Sequence, residues 1–283
     1  MTAMTAAGLA LALFSAITSS FAHALLKSGD DKLVVQAWIR MTEFVLAAPI
    51  ALWIGLPPMS LWPWLIAAMA IHAVYQLALA WSYAMSDFTA AYPIARGFTP
   101  IFAALLGMAV LGDRIDLLVL LGIAIVSAGI LCLAGNGAIS RRGLVAAAFT
   151  GLLTTCYTLV DAKGVRAAPD MLTFIVWFFM LDSISMPVAL FLRSGRKSFA
   201  FLARDMKPGM LAGIMAPISF APALFALGMA PVGVVAAVRE SSVVFGLVLG
   251  AIFLKERLSR LRISGALLVT LGTLTVIAGS AFA

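Results

Sequence analysis

The chain has 283 residues, of which 63% are hydrophobic and 11% charged, with a formal net charge of +7. A soluble globular domain is roughly 45–50% apolar and about 25% charged, so this composition excludes an ordinary soluble protein and points to a polytopic membrane protein. The basic residues sit in short connectors between apolar runs, where the membrane surface explains them better than nucleic acid does. The two cysteines, Cys132 and Cys156, frame neither a disulfide set nor a metal site.

A helix needs about 20 apolar residues to cross about 30 Å of hydrocarbon. Ten such runs are predicted: 4–26, 33–55, 62–85, 88–111, 116–135, 141–163, 171–192, 207–229, 232–254 and 260–281. The first ends in Ala-His-Ala, the form of a signal-peptidase site. No basic stretch precedes it and another apolar run follows at once, so it reads as a structural helix. It carries a small stripe of Ser15, Thr18, Ser19 and His23, the last placed at an interface. The second run holds Arg40 and Glu43. In the third, His72, Tyr75, Gln76 and Tyr83 share one helix face. The fourth lies in the stretch Phe88–Leu111, whose only charge is Arg96; Tyr92 and Thr99 join that arginine, and Pro93 and Pro100 can bend the helix. The sixth repeats the facial pattern with Thr150, Thr154, Tyr157, Thr158 and Asp161. The seventh holds Asp182, the eighth Pro217 and Pro222, and the ninth Arg239, Glu240 and Ser242.

Short connectors make consecutive helices antiparallel neighbours. The odd-numbered connectors carry thirteen Lys and Arg residues and the even-numbered ones three. Under the positive-inside rule this predicts that both termini face away from the cytoplasm.

The chain also contains itself twice. Residues 91–130 align with a later stretch at an offset of 143, placing Arg96 on Arg239, Gly107 on Gly250, Asp113 on Glu256, Gly122 on Gly265 and Gly129 on Gly272. Run one aligns with run six (Gly8 on Gly143, Ser15 on Thr150) and run two with run seven (Trp38 on Trp177, Glu43 on Asp182). A repeat of five spans enters the membrane the other way up in its second copy. Inverted repeats of this kind serve alternating access in secondary transporters, with the substrate held near the midplane. The expected fold is therefore an all-α integral membrane protein of ten transmembrane helices, with repeats at 1–139 and 140–283.

The segments "YPIARGFTPIFAALLGMAVLGDRI" and "VRESSVVFGLVLGAIFLKERL" resemble the two halves of the drug/metabolite transporter superfamily, in its ten-helix group with two EamA-type repeats. Lys255 stands where the second copy usually has glycine. The resemblance covers essentially the whole chain and implies export or exchange of small metabolites, amino acids among them, without fixing the substrate.

Six ionisable residues lie well inside the runs: Arg40, Glu43, Arg96, Asp182, Arg239 and Glu240. A charge at a helix centre costs about 2.5–3.5 kcal/mol on insertion scales, so each needs a partner. The repeat suggests Glu43 with Arg96 and Asp182 with Arg239, with Arg40 and Glu240 as further members. These pairs read either as structural clamps or as function, with an arginine binding a substrate carboxylate or an acid carrying protons. Glu240 is the preferred proton carrier because its counterpart is Gly97. The Ser and Thr stripes read as interhelical hydrogen bonding. The faces of His72 and Tyr157 read as cavity lining.

No His-Glu-x-x-His zinc motif, Gly-x-Ser-x-Gly elbow or Gly-rich phosphate loop is present, so neither an enzyme nor ATP drive is expected, and no cofactor. The expectation is a multi-pass secondary transporter of the cell inner membrane, sufficient as a monomer, with protons the candidate coupling ion. It would move small amphipathic metabolites, foremost amino acids, aromatic ones included, by alternating access. The substrate-binding candidates are His72, Tyr75, Gln76, Tyr83, Tyr92, Tyr157, Thr158, Arg239 and Ser242. The alternatives are a multidrug or organic-cation exporter and a flippase for lipid-linked metabolites.

Overall fold

A computed structural model describes residues 3–28, 31–85, 96–133, 141–253 and 259–282. Tyr92, Pro93 and Lys255 to Arg257 lie outside the described residues, as do the side chains of His23 and Tyr83. The described chain is helical: α1 (Ala3–Ser28), α2 (Lys32–Ile54), α3 (Trp62–Met85), α4 (Thr99–Leu106), α5 (Leu117–Leu133), α6 (Arg141–Ala167), α7 (Met171–Asp182), α8 (Ser185–Ser194), α9 (Ser198–Arg204), α10 (Met206–Met229), α11 (Val232–Arg239), α12 (Ser242–Phe253) and α13 (Arg260–Phe282). Eight segments among the described residues are long and apolar enough to cross a membrane, and two shorter apolar ones span Thr99–Leu111 and Leu117–Leu133. Leu52, Trp53, Leu117 and Leu192 point outward, while Ser15, Glu43, His72, Asp161, Asp182 and Glu240 are buried. That reversal of the soluble pattern suits a lipid surround, where polar side chains turn toward the bundle interior.

Capping follows local chemistry. Asp31 accepts from the Leu33 amide at 2.9 Å to start α2, and Asp170 accepts from the Thr173 amide at 2.8 Å to start α7. These bonds satisfy donors that a first turn leaves without intrahelical partners. After α4 the chain widens through Gly107–Leu111 and turns at Gly112, whose φ of 71° is left-handed and favours glycine. The turn delivers Asp113 to the start of α11, where its Oδ2 accepts from the Val232 amide at 2.7 Å.

Three runs expected to be continuous are broken, the seventh, the ninth and, at Phe98, the fourth. The seventh divides into α7 and α8 at Ser183–Ile184. Pro187 causes it: the ring lacks an N–H and crowds the carbonyl four residues earlier, that of Ser183. The ninth divides into α11 and α12 at Glu240–Ser241. There the Ser241 hydroxyl donates to the Val238 carbonyl at 2.7 Å, and Val243 and Val244 donate to carbonyls three residues back, so local bonding tightens the backbone away from an α-helix. On the other repeat, Arg96 and Gly97 are helical, Phe98 is a bend and α4 begins at Thr99. Phe98 and Ser241 are 143 residues apart, the offset of the sequence repeat. By contrast, α10 runs through Pro217 and Pro222 as one helix.

The helices pack in matched sets. Helix α1 lies on α10 and α3 lies on α6; α2 contacts α10 and α3 contacts α7; α1 contacts α11 and α4 contacts α6. The pairs α2 with α7, α4 with α11, and α5 with α13 complete the frame. Exchanging α1 for α6, α2 for α7, α3 for α10, α4 for α11 and α5 for α13 leaves these contacts unchanged. The closest seam joins α5 to α13. A Cβ added to Gly129 would sit 2.7 Å from the Val269 nitrogen, and one on Gly272 would sit 2.6 Å from the Val126 nitrogen. Gly122 faces Gly272 while Gly129 faces Gly265, so the two helices run antiparallel with bare backbone in contact.

Candidate functional site

Four polar groupings lie within the bundle. The first ties α2 to α7. Arg40 Nη1 is 2.5 Å from Glu43 Oε2, one turn along its own helix, and 2.6 Å from Asp182 Oδ2. The second joins the two helix breaks. Arg96 Nη2 donates to Glu240 Oε1 at 2.8 Å and Arg96 Nε to Oε2 at 3.0 Å, a forked contact with a carboxylate that is 2% exposed.

These two groupings correct the expected pairing. Glu43 is held by Arg40 and not Arg96, and Asp182 by Arg40 and not Arg239. The reason is helix placement: α4 packs on α11, which brings Arg96 to Glu240, whereas α2 packs on α7. An alignment of repeats pairs positions along the chain and does not say which helix each side chain faces. Glu240, read as a proton carrier without a fixed partner, sits in the Arg96 fork.

The third grouping is Arg239. Its Nε donates to Ser15 Oγ at 3.2 Å, and its guanidinium lies 5.4 Å from the centre of the Phe220 ring. Among the described residues no carboxylate lies within ion-pair distance of it. A cation over an aromatic face is partly compensated by the ring quadrupole, which leaves the guanidinium able to accept an anion.

The fourth joins α3 to α6. His72 Nε2 is 3.0 Å from Asp161 Oδ2, with the Asp161 side chain fully buried. Tyr157, Phe178 and Phe220 surround the imidazole with ring centres at 4.2, 4.8 and 5.6 Å, and Tyr75 stands edge-on to Tyr157 at 5.0 Å. Phe220 thus touches both His72 and Arg239, linking the third and fourth groupings into one aromatic-walled region. Gln76, one turn along from His72, is buried, and neither amide atom has a hydrogen-bond partner.

Asp161 belongs to the Thr150–Thr158 face and not to the expected buried charges, because the predicted run ends at 163. In the fold, α6 continues to Ala167, which draws Asp161 well inside. The signal was present in the sequence: Asp161 follows Tyr157 by four residues, on the face that carries the ring. Thr158 is buried, and its hydroxyl donates to the Thr154 carbonyl at 2.7 Å, as Thr154 does to Thr150; these protons serve their own helix. Ser242 is buried at the start of α12.

Both ends of the bundle are tied. At one, Arg166 donates to Asp113 Oδ1 at 2.6 Å and to the carbonyls of Leu227 and Ala230, each at 2.9 Å. At the other, Arg193 pairs with Asp31 at 2.9 Å. Burial pushes the Asp31 carboxyl up, but the Arg193 and Leu33 hydrogen bonds outweigh it and hold it below the ordinary carboxylate range. A surface depression of about 320 Å³ is lined by Trp53, Ile54, Asp170 and Leu172, residues at helix ends and separate from the four groupings.

Residues 141–278 match the EamA-like transporter family. No curated protein matches the chain significantly. One solved structure, described only as a crystal structure of a protein, has a TM-score of 0.71 at 16% identity and covers 98% of both chains; at that identity it shows the fold alone.

Proposed function

Because residues 141–278 belong to the EamA-like transporter family, in the drug/metabolite transporter superfamily, we propose that this all-α, multi-pass membrane protein is a secondary transporter of small amphipathic metabolites, amino acids foremost and aromatic ones included. Alternating access between two inverted five-helix repeats, 1–139 and 140–283, is the mechanism we favour. The matched helix contacts and the breaks at Phe98 and Ser241 support it, since discontinuous helices commonly surround midplane sites in such transporters.

One observation carries the substrate class: Arg239, without a carboxylate partner among the described residues, stands over Phe220 in an aromatic-walled interior. A solute carboxylate would take the place opposite Arg239, with Ser15 beside it. The solute's ring or alkyl part would lie among Tyr157, Phe178 and Phe220, where mostly apolar walls with a few placed polar groups suit organic solutes. Tyr75, Gln76 and Ser242 are proposed as further lining. The buried Asp161 favours a second reading, an organic-cation exporter. The charge asymmetry of the connectors supports an inner-membrane protein with both termini outside the cytoplasm.

Counterflow in proteoliposomes with labelled amino acids, nucleosides and organic cations tests this. Movement of amino acids, lost in Arg239→Gln, is the expected result; movement of cations alone would overturn the amino-acid reading.

A further inference from the structure

The ion pairs leave the buried charges uneven. Among the described residues of the bundle interior, the partly buried Arg40, Arg96 and Arg239 supply three cations and the buried Glu43, Asp161, Asp182 and Glu240 four carboxylates, a balance of three minus four; Asp113 is matched by Arg166, and Asp205 lies at the start of α10. A single proton on the group would make it neutral, and an uncompensated charge inside a membrane is costly. Arg40 touches both Glu43 and Asp182, and Arg96 grips Glu240. Asp161 alone among these carboxylates has an imidazole for its partner, a side chain that can hold or release a proton.

The geometry around this pair leaves bonds unmade. Asp161 Oδ1 has no hydrogen-bond partner, and neither do Gln76 Oε1 and Nε2, all in buried side chains. The rings of Tyr157, Phe178 and Phe220 crowd His72. Acceptors beside aromatic faces suit an organic ammonium.

We propose that the His72–Asp161 pair is a site where a proton and the ammonium group of a transported solute exclude one another. His72 Nε2–H donates to Asp161 Oδ2 in both states, so the exchangeable proton sits on Nδ1, which has no hydrogen-bond partner among the described residues. When an ammonium reaches Asp161 Oδ1, the Nδ1 proton leaves to water on the open side and the imidazole becomes neutral. At the His72–Asp161 pair one positive charge enters as one departs, so the pair keeps its charge through the exchange, and the carboxylate of an amino acid is met separately by Arg239. The titratable and charged groups facing the pair are Tyr75 on α3, Tyr157 on α6, Arg40 and Glu43 on α2, Asp182 on α7, Arg239 on α11 and Glu240 just after it, and Arg96 before α4. Helix α10 presents Phe220, which is uncharged. The inference rests on the transport reading above, yet its site is testable without transport.

The chain has two histidines, so the full-length protein with isotope-labelled histidine gives two imidazole signals, and His23→Gln assigns them. The expected result is an imidazolium at His72 under acid conditions that turns to imidazole on adding phenethylamine or L-phenylalanine, but not 3-phenylpropionate, which lacks the ammonium. Asp161→Asn should abolish that response while the protein still elutes as a single species. In vesicles, His72→Gln should lose solute-driven proton movement. A His72 signal that neither acid nor the ammonium probes change overturns the proposal, as does an equal response to 3-phenylpropionate. Counterflow of L-phenylalanine with an unresponsive His72 would leave the transport reading standing and remove this one. A responsive His72 with no amino-acid counterflow would do the reverse.

Discussion

Two helix interfaces occupy matching positions in the bundle, α1 against α10 and α3 against α6, yet carry different chemistry. In the first, Ser19 and Ser219 share a hydrogen bond of 2.5 Å and Ser219 also reaches the Ser15 carbonyl. In the second, His72 faces Asp161 and three aromatic rings. The backbone frame is paired while the side chains are not. The hydroxyls on one flank bond one another, nearby backbone and Arg239, whereas the other flank holds groups whose charge can change. A scaffold bond can be used twice, but a site for one solute needs asymmetry, and the asymmetry here lies on the α3–α6 side.

That contrast can be broken most forcefully at the buried charges. Removing one partner of a buried pair costs about 3–5 kcal/mol, because the other is left uncompensated. Asp161→Leu strands the His72 imidazole without its acceptor and should stop transport while lowering the midpoint of thermal unfolding in detergent. Arg96→Ala should similarly reduce folded yield through the stranded Glu240, with substrate selectivity in the surviving protein unchanged. Normal yield with lost anion binding would make Arg96 a ligand residue and weaken the assignment of anion binding to Arg239. The double variant Arg96→Leu with Glu240→Leu should recover much of the yield, since replacing a whole buried pair with apolar residues is often close to neutral.

The hydroxyl flank should respond less. Ser219→Ala removes hydrogen bonds worth about 1 kcal/mol in net stability, so unfolding should shift slightly and counterflow should persist. Loss of counterflow in this variant would show that the two flanks are functionally alike. The smallest effect belongs to Asp31 at the bundle end, which is partly exposed and therefore screened. Its carboxyl is held below its ordinary range, so its stabilisation is present above the unfolded-state value and fades as pH falls through the lower folded-state one. Asp31→Asn should give a slight loss of stability at neutral pH that disappears in strong acid, read from unfolding midpoints across pH.

Much of the frame was legible because the membrane imposes a length. The apolar runs at 4–26, 33–55 and 62–85 correspond closely to Ala3–Ser28, Lys32–Ile54 and Trp62–Met85. The seven-residue spacing of Gly122 and Gly129, copied at Gly265 and Gly272, foretold close packing, and the fold brings those glycines together. The breaks were less legible. Pro187 carried a local signal at the seventh run, but the break beside Glu240 depends on a serine hydroxyl bonding its own backbone, which serines elsewhere in helices do without a break. Among the site residues, His72, Tyr75, Gln76, Tyr157 and Arg239 were recognisable as polar groups within apolar runs, and the fold gathers them in one region. Asp161 is legible on the polar face of the sixth run, but its depth is not, because the helix extends to Ala167 beyond the predicted end at 163.

By itself the sequence determined where the apolar helices lie, that the chain repeats at an offset of 143, and which polar side chains had to be sheltered from lipid. The spacing of residues along one helix is set by its 3.6-residue turn, so shared faces such as His72 with Gln76 could be read directly. Only the tertiary structure decided the partners: Arg40 with Asp182, Arg96 with Glu240, His72 with Asp161, and Arg239 over Phe220. The depth and rotation of each helix against its neighbour are products of packing over the whole bundle, and a difference of one turn, about 5.4 Å, exceeds the reach of a hydrogen bond.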